Sequence, residues 1–198
     1  MSVLEDAKRA VFRVGNGRGF VVKGRADERY VVAAAHCLPS FPPCALVSYT
    51  EERTYKSLIG ALDSKQSVWA ECLFVDPIGD IALLGPPDAA YGKQREAYGM
   101  LLRDARPLPV ADAPLKGIAW RLSLDGRWVR CGIERVSDDA PLWISTTAAI
   151  ESNGDSGSPI GASYPGRDRQ AAWPQSVAQV SRRSLHSFRP GGPLPINR

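Results

Sequence analysis

The apolar residues of this 198-residue chain come in short runs broken by Gly, Pro and Asp. That rhythm suits short strands and leaves little room for long helices. The first runs fall at 10–14, 19–23, 29–34, 45–49, 68–75 and 80–84. Six short strands at this spacing predict a small antiparallel barrel. A short helix precedes them, because Ser2 and Glu5 form a capping box and Val3, Leu4, Ala7, Ala10 and Val11 follow at helical spacing.

Gly85, Pro86 and Pro87 stop the last of these strands. Tyr91, Arg95, Tyr98 and Leu102 then recur at helical intervals, which predicts a linking helix within 88–103. A second strand series starts near Arg106-Pro107-Leu108-Pro109. Runs at 116–124 and 127–136 flank Asp125-Gly126, a tight-hairpin signal, and 142–147 leads into a glycine-rich loop. The expected organisation is a first barrel with its linker over 1–105, a second over 106–162, and an irregular Pro-, Ser- and Arg-rich tail over 163–198.

The net charge of +4 does not point to nucleic acid. Residues 161–198 hold six arginines and one acid, a net of +5, so the rest of the chain carries −1. A near-neutral body with a solvated basic tail implies no nucleic-acid partner. No run of about 18 apolar residues predicts a membrane span, and the N-terminus shows no secretory pattern. Cys37, Cys44, Cys72 and Cys131 lack paired metal-ligand spacing, so no metal is expected. Cys37 and Cys44 are close enough in sequence to bridge, but reduced thiols are the default expectation, consistent with a cytoplasmic location.

The chemistry concentrates in three places. Asn153-Gly154-Asp155-Ser156-Gly157-Ser158-Pro159 holds a serine on a glycine-flanked loop. His36 follows the apolar run ending Ala33-Ala34-Ala35, and Asp80 precedes Ile81-Ala82-Leu83-Leu84. Serine is a weak nucleophile at neutral pH and needs a base in contact, and imidazole has a suitable pKa. The imidazole in turn needs a carboxylate on its other nitrogen. The N–H groups of Gly154 and Ser156 are placed by such a turn to meet a developing oxyanion. His186, the other histidine, falls in the irregular tail and is not a candidate.

On Gly17-Arg18-Gly19-Phe20-Val21-Val22, the His36 run, the Asp80 run and residues 154–159, the chain resembles the chymotrypsin/trypsin-like serine peptidases. The first of these motifs resembles the bacterial, HtrA-like branch more than the digestive enzymes. The resemblance covers roughly residues 8–160. It implies an all-β fold of two antiparallel barrels with a cleft between them. It implies His36 as general base, Asp80 as its orienter and Ser156 as nucleophile in a serine endopeptidase that needs no cofactor. The order His, Asp, Ser differs from that of α/β-hydrolases. Ile150, six residues before the serine, aligns with the floor of the primary specificity pocket. An apolar floor disfavours basic side chains, unless the neighbouring Glu151 points inward.

Three departures qualify the resemblance. No cysteine lies about 15 residues before Cys37, so the family's frequent disulfide at the His loop has no usual partner. Met1 does not begin a terminus of the kind that pairs with Asp155 after activating cleavage. After Ile160 the expected substrate-pairing strand gives way to a Pro-rich stretch, in which 176–181 is a weak strand signal. The second barrel therefore shows about four strand signals where the resemblance implies six. Two functions remain open on this reading: a polypeptide-cleaving serine endopeptidase, or a trypsin-like fold serving as a binding or regulatory module.

Overall fold

The structure, a computed structural model, describes residues 7–43, 50–110, 116–123, 126–134, 143–145, 156–162 and 175–177. Six strands close into a barrel: β1 (Val11–Val14), β2 (Gly17–Lys23), β3 (Arg29–Ala34), β4 (Thr54–Ala61), β5 (Val68–Asp76) and β6 (Ile81–Gly85). Around the barrel they run β1-β2-β3-β6-β5-β4, every neighbour antiparallel, and β1 closes on β4 through Phe12↔Ala61 and Val14↔Ile59. Closure leaves no unpaired edge to satisfy. Val14, Val21, Val31, Ala33, Ile59, Ala70, Ala82 and Leu84 fill the interior, all essentially inaccessible to solvent.

Five of the six barrel strands lie where the apolar runs predict them. The fourth is at Thr54–Ala61, not at 45–49. The latter segment falls outside the described residues. The apolar positions Tyr55, Leu58 and Ile59 do not alternate, because the β4–β5 register shifts between Tyr55 and Ile59. Ser57 takes a φ of 55° inside that irregularity. A bulge of this kind breaks the period of two by which a strand is recognised in sequence.

The predicted linking helix is present as a turn at Ala89–Tyr91 followed by α1 (Gly92–Leu102). Asp88 starts the turn by accepting a hydrogen bond from the Ala90 N–H at 2.9 Å. Tyr98 and Leu102 are buried in the barrel core, and the Tyr98 hydroxyl donates to the carbonyls of Arg29 and Leu84. Burial pushes the Tyr98 phenol well above its ordinary pKa. At the other end of α1, the Arg29 guanidinium donates to the carbonyls of Leu102 and Arg103, satisfying acceptors that a helix end leaves open. Of the opening helix, the described part is its last turn, where the Ala10 N–H reaches the Ala7 carbonyl at 3.1 Å.

The second strand series builds a sheet, ordered β11-β10-β7-β8-β9 from β7 (Lys116–Leu122), β8 (Trp128–Glu134), β9 (Trp143–Ser145), β10 (Ile160–Ala162) and β11 (Gln175–Val177). The resemblance implies a second closed barrel; among the described residues this sheet is five-stranded and open. Three of its strands have three described residues each. The β7–β8 hairpin forms as predicted, with Gly126 at φ 75° and the Ser123 N–H bonded to the Arg127 carbonyl at 2.8 Å. Within the segment expected to be an irregular tail, Gln175–Val177 pairs antiparallel with β10, overlapping the weak signal at 176–181.

Both faces of β1 and β2 are used. Val14 and Val21 point into the barrel, while Val11 and Phe20 point out into a second cluster with Ala7, Ala10, Leu108 and Leu122. Leu122 ends β7, so this outer cluster joins barrel to sheet. The Leu108 N–H also donates to the Val21 carbonyl at 2.8 Å. No helix among the described residues is long and apolar enough to cross a membrane.

Candidate active site

The β3–β6 ladder brings two of the sequence-predicted residues together. Its last rung pairs Ala34 with Ile81, so the residues just beyond it, Ala35-His36 and Asp80, must meet. The Ala35 N–H donates to the Asp80 carbonyl at 3.1 Å. β3 ends in a single tight turn, Ala35–Cys37, which the Leu38 N–H closes onto the Ala35 carbonyl and Pro39 does not extend. On the other side, Asp76 folds the turn before β6 by accepting from the Ile78 N–H at 2.9 Å.

Asp80 itself is in the left-handed region, φ 56°, which Asp tolerates better than most residues. Its carboxylate repays the strain with two bonds to one neighbour. Oδ1 accepts the His36 backbone N–H at 3.0 Å, and Oδ2 lies 2.7 Å from His36 Nδ1. A carboxylate only accepts, so Nδ1 carries the proton; in the neutral imidazole the lone pair is then on Nε2. The Asp80 side chain is 17% exposed and that of His36 is 44% exposed. The carboxylate is thus sheltered while the imidazole is open to a second partner.

Ser156 lies against the same end of the barrel, held through its backbone. Its carbonyl accepts the Arg18 N–H of β2 at 2.7 Å and sits 3.9 Å from the Sγ of Cys37, the residue after His36. Two glycines permit this approach. A Cβ on Gly17 would stand 2.4 Å from Cys37 Sγ and 2.8 Å from the Ser156 carbonyl oxygen. Gly157, at φ 81°, would drive one to 1.8 Å from the Arg18 carbonyl oxygen. The other sequence-predicted positions, Gly154 of the oxyanion hole and Ile150 and Glu151 of the specificity pocket, fall outside the described residues.

Sequence reasoning passed over Arg18. Its side chain is buried, and Nη1 donates to the carbonyls of Leu122 at 3.2 Å and Ser123 at 2.9 Å. The available signal was an arginine between two glycines in a strand whose two faces are both apolar.

Cys37, Cys72 and Cys131 are free, buried thiols; Cys44 falls outside the described residues. Burial, and then the negative charge of Asp80, push the Cys37 thiol from its ordinary 9.0 up to about 11. A raised thiol pKa keeps the neutral form dominant until strongly alkaline pH, and at pH 8 only about one thiol in a thousand is ionised. Iodoacetamide at pH 8 therefore modifies Cys37 at least about 100-fold more slowly in the native protein than in urea. Mass mapping of the alkylated peptides over time measures this; equal rates would contradict it.

No protein-family model matches the chain, and no curated protein matches it. Solved structures do. A crystal structure of the inactive form of Rv3671c from M. tuberculosis H37Rv, a serine-to-alanine mutant, aligns at 18% identity with a TM-score of 0.46, over 89% of this chain and 84% of that one. Two structures of the murine norovirus NS6 protease, both inactive cysteine-to-alanine mutants, also align at 13% identity. Their TM-scores are 0.39 and 0.40, over 92% and 91% of this chain and 99% and 98% of theirs. At such identities and scores the likeness assigns neither a family nor an activity.

Proposed function

We propose that the chain is a trypsin-like serine endopeptidase that hydrolyses polypeptides through an acyl-enzyme on Ser156. The observation that carries this reading is the two-point hold of Asp80 on His36, with Oδ2 2.7 Å from Nδ1 and Oδ1 on the backbone N–H. A surface ion pair has no need of the second bond. It fixes both the tautomer and the ring direction that a general base requires. The placement of Ser156 beside Cys37 supports the same reading.

In the proposed reaction His36 Nε2 takes the Ser156 hydroxyl proton as Oγ attacks the scissile carbonyl carbon. The resulting imidazolium is held by Asp80. The tetrahedral intermediate then expels the amine, which leaves with that proton, and an acyl-serine remains. Water, deprotonated by the same Nε2, hydrolyses the ester and regenerates Ser156. The amides of Gly154 and Ser156 are the proposed donors to the oxyanion. Ile150 is the proposed floor of a pocket for small or apolar side chains. The closer affinity to HtrA-like members draws on the motif at residues 17–22.

A fluorophosphonate probe tests the proposal. The expected result is stoichiometric modification of the native protein, with the added mass on the peptide containing Ser156. No modification of well-folded protein would overturn the reading. Modification without turnover of any peptide library would favour the non-hydrolytic binding module, in which the reactive serine persists but substrate is not presented to it.

A further inference from the structure

A buried guanidinium joins the two halves of the candidate site. Arg18 is 5% exposed, in a strand whose other residues up to Val22 are glycine or apolar. Its backbone N–H holds the Ser156 carbonyl at 2.7 Å. Its side chain holds the Leu122 and Ser123 carbonyls, where β7 ends. The two anchored segments are themselves neighbours, because β10 starts four residues after Ser156 and pairs Ile160 with Arg121. On the barrel side, β2 pairs with β3 through Gly19↔Ala33, and β3 runs directly into Ala35-His36. One residue thus fastens both the serine loop and the strand behind it to the ladder that carries the histidine.

We infer that Arg18 is a positioning residue for the reaction proposed above, a clasp that sets the separation of Ser156 from His36. The reading rests on that proposal. Burying a guanidinium is costly unless its donors are engaged, so a methionine of similar length would suit mere packing at this junction at least as well. What methionine lacks is directional bonds to two carbonyls of the opposite sheet. Phe20, Leu108 and Leu122 already supply apolar adhesion there, but apolar contact is non-directional and leaves sliding unopposed. Acyl transfer is sensitive to sliding, since a displacement of about 1 Å in the reacting groups costs on the order of 100-fold in rate.

The test compares Arg18→Met and Arg18→Lys with wild type and with Leu102→Ala, a core truncation in α1 away from the junction. Three quantities are read at a temperature where every variant is folded: the rate of fluorophosphonate labelling, the NMR titration of His36, and hydrogen exchange of the residue-18 amide. Arg18→Met is expected to label roughly 10–100-fold more slowly, with the His36 titration unchanged and the residue-18 amide exchanging at least tenfold faster. Arg18→Lys, which keeps the charge but ends one bond short of Nη1 and lacks the rigid guanidinium plane, is expected to recover part of the rate. Leu102→Ala is expected to lose thermal stability and keep its labelling rate.

Wild-type labelling in Arg18→Met, or an equal slowing in Leu102→Ala, would overturn the inference. If Arg18→Met fails to fold, Arg18→Lys decides: full wild-type rate and exchange would overturn it, and an intermediate rate would support it. If wild type itself is not labelled, the serine reading fails separately. The clasp is then judged by exchange alone, and unchanged protection of the residue-18 amide would overturn it.

Discussion

Asp80→Asn is expected to lower the rate of Ser156 acylation about 10⁴-fold while leaving the fold in place. The cause lies in the two oxygens of Asp80. Oδ1 accepts the His36 backbone N–H and Oδ2 faces Nδ1. An asparagine has one oxygen for these two tasks. The backbone N–H is a fixed donor, so the amide oxygen goes there and the amide NH₂ is turned toward Nδ1. Two donors cannot face each other, so the imidazole shifts its proton to Nε2. The nitrogen that should accept the serine proton is then already protonated. The charge that would stabilise the imidazolium is lost as well. Asn tolerates the left-handed backbone at φ 56° as Asp does, so thermal unfolding is expected to stay within a few degrees of wild type. Fluorophosphonate labelling measures the rate, Ser156→Ala gives its baseline, and nitrogen-15 NMR of His36 reads the tautomer. Labelling within threefold of wild type would overturn the assignment of Asp80.

Gly157→Ala carries the second large effect, on stability and reactivity together. The added Cβ would lie 1.8 Å from the Arg18 carbonyl oxygen and 3.1 Å from the Ala34 nitrogen. Both are backbone atoms of barrel strands, so neither yields as a flexible side chain would. The positive φ of 81° adds strain of its own for any L side chain. Strain and overpacking together cost about 2–5 kcal/mol, or a fall of about 10 °C in Tm for a chain of this size. Relief comes by lifting the serine loop off β2, which breaks the 2.7 Å bond from Arg18 to Ser156. Labelling is therefore expected to fall by about 100-fold even below Tm. Gly99→Ala is the contrast. In α1 nothing lies within 4 Å of the new methyl, and stability is expected to rise by about 0.5–1 kcal/mol. Calorimetry and labelling of both variants check the pair; equal behaviour of the two would contradict the close approach at Gly157.

Much of this was legible in the residues. The strands that the sequence locates are those with uninterrupted apolar or alternating runs, such as Arg29–Ala34 and Ile81–Gly85. The strand it misplaces, Thr54–Ala61, carries a register shift and a left-handed Ser57, which scramble the period of two. The last two strands of the second sheet, β10 and β11, gave little or no signal for a related reason. Three residues of strand hold too little pattern to stand out, and Gln175–Val177 is held by its partner β10 more than by its own composition.

The sequence by itself singled out the candidate residues: a histidine closing one apolar run, an aspartate opening another, and a serine between glycines. Local pattern suffices for that, because each depends on its immediate neighbours. Only the tertiary structure decided how two of them meet. His36 and Asp80 are 44 positions apart and are joined because β3 and β6 are adjacent around the barrel, a ladder register that no local propensity encodes. The partners of Arg18 were not legible for the same reason. Its worth lies in carbonyls 104 and 105 positions away, and backbone acceptors look alike in every sequence until the chain has brought them to a donor.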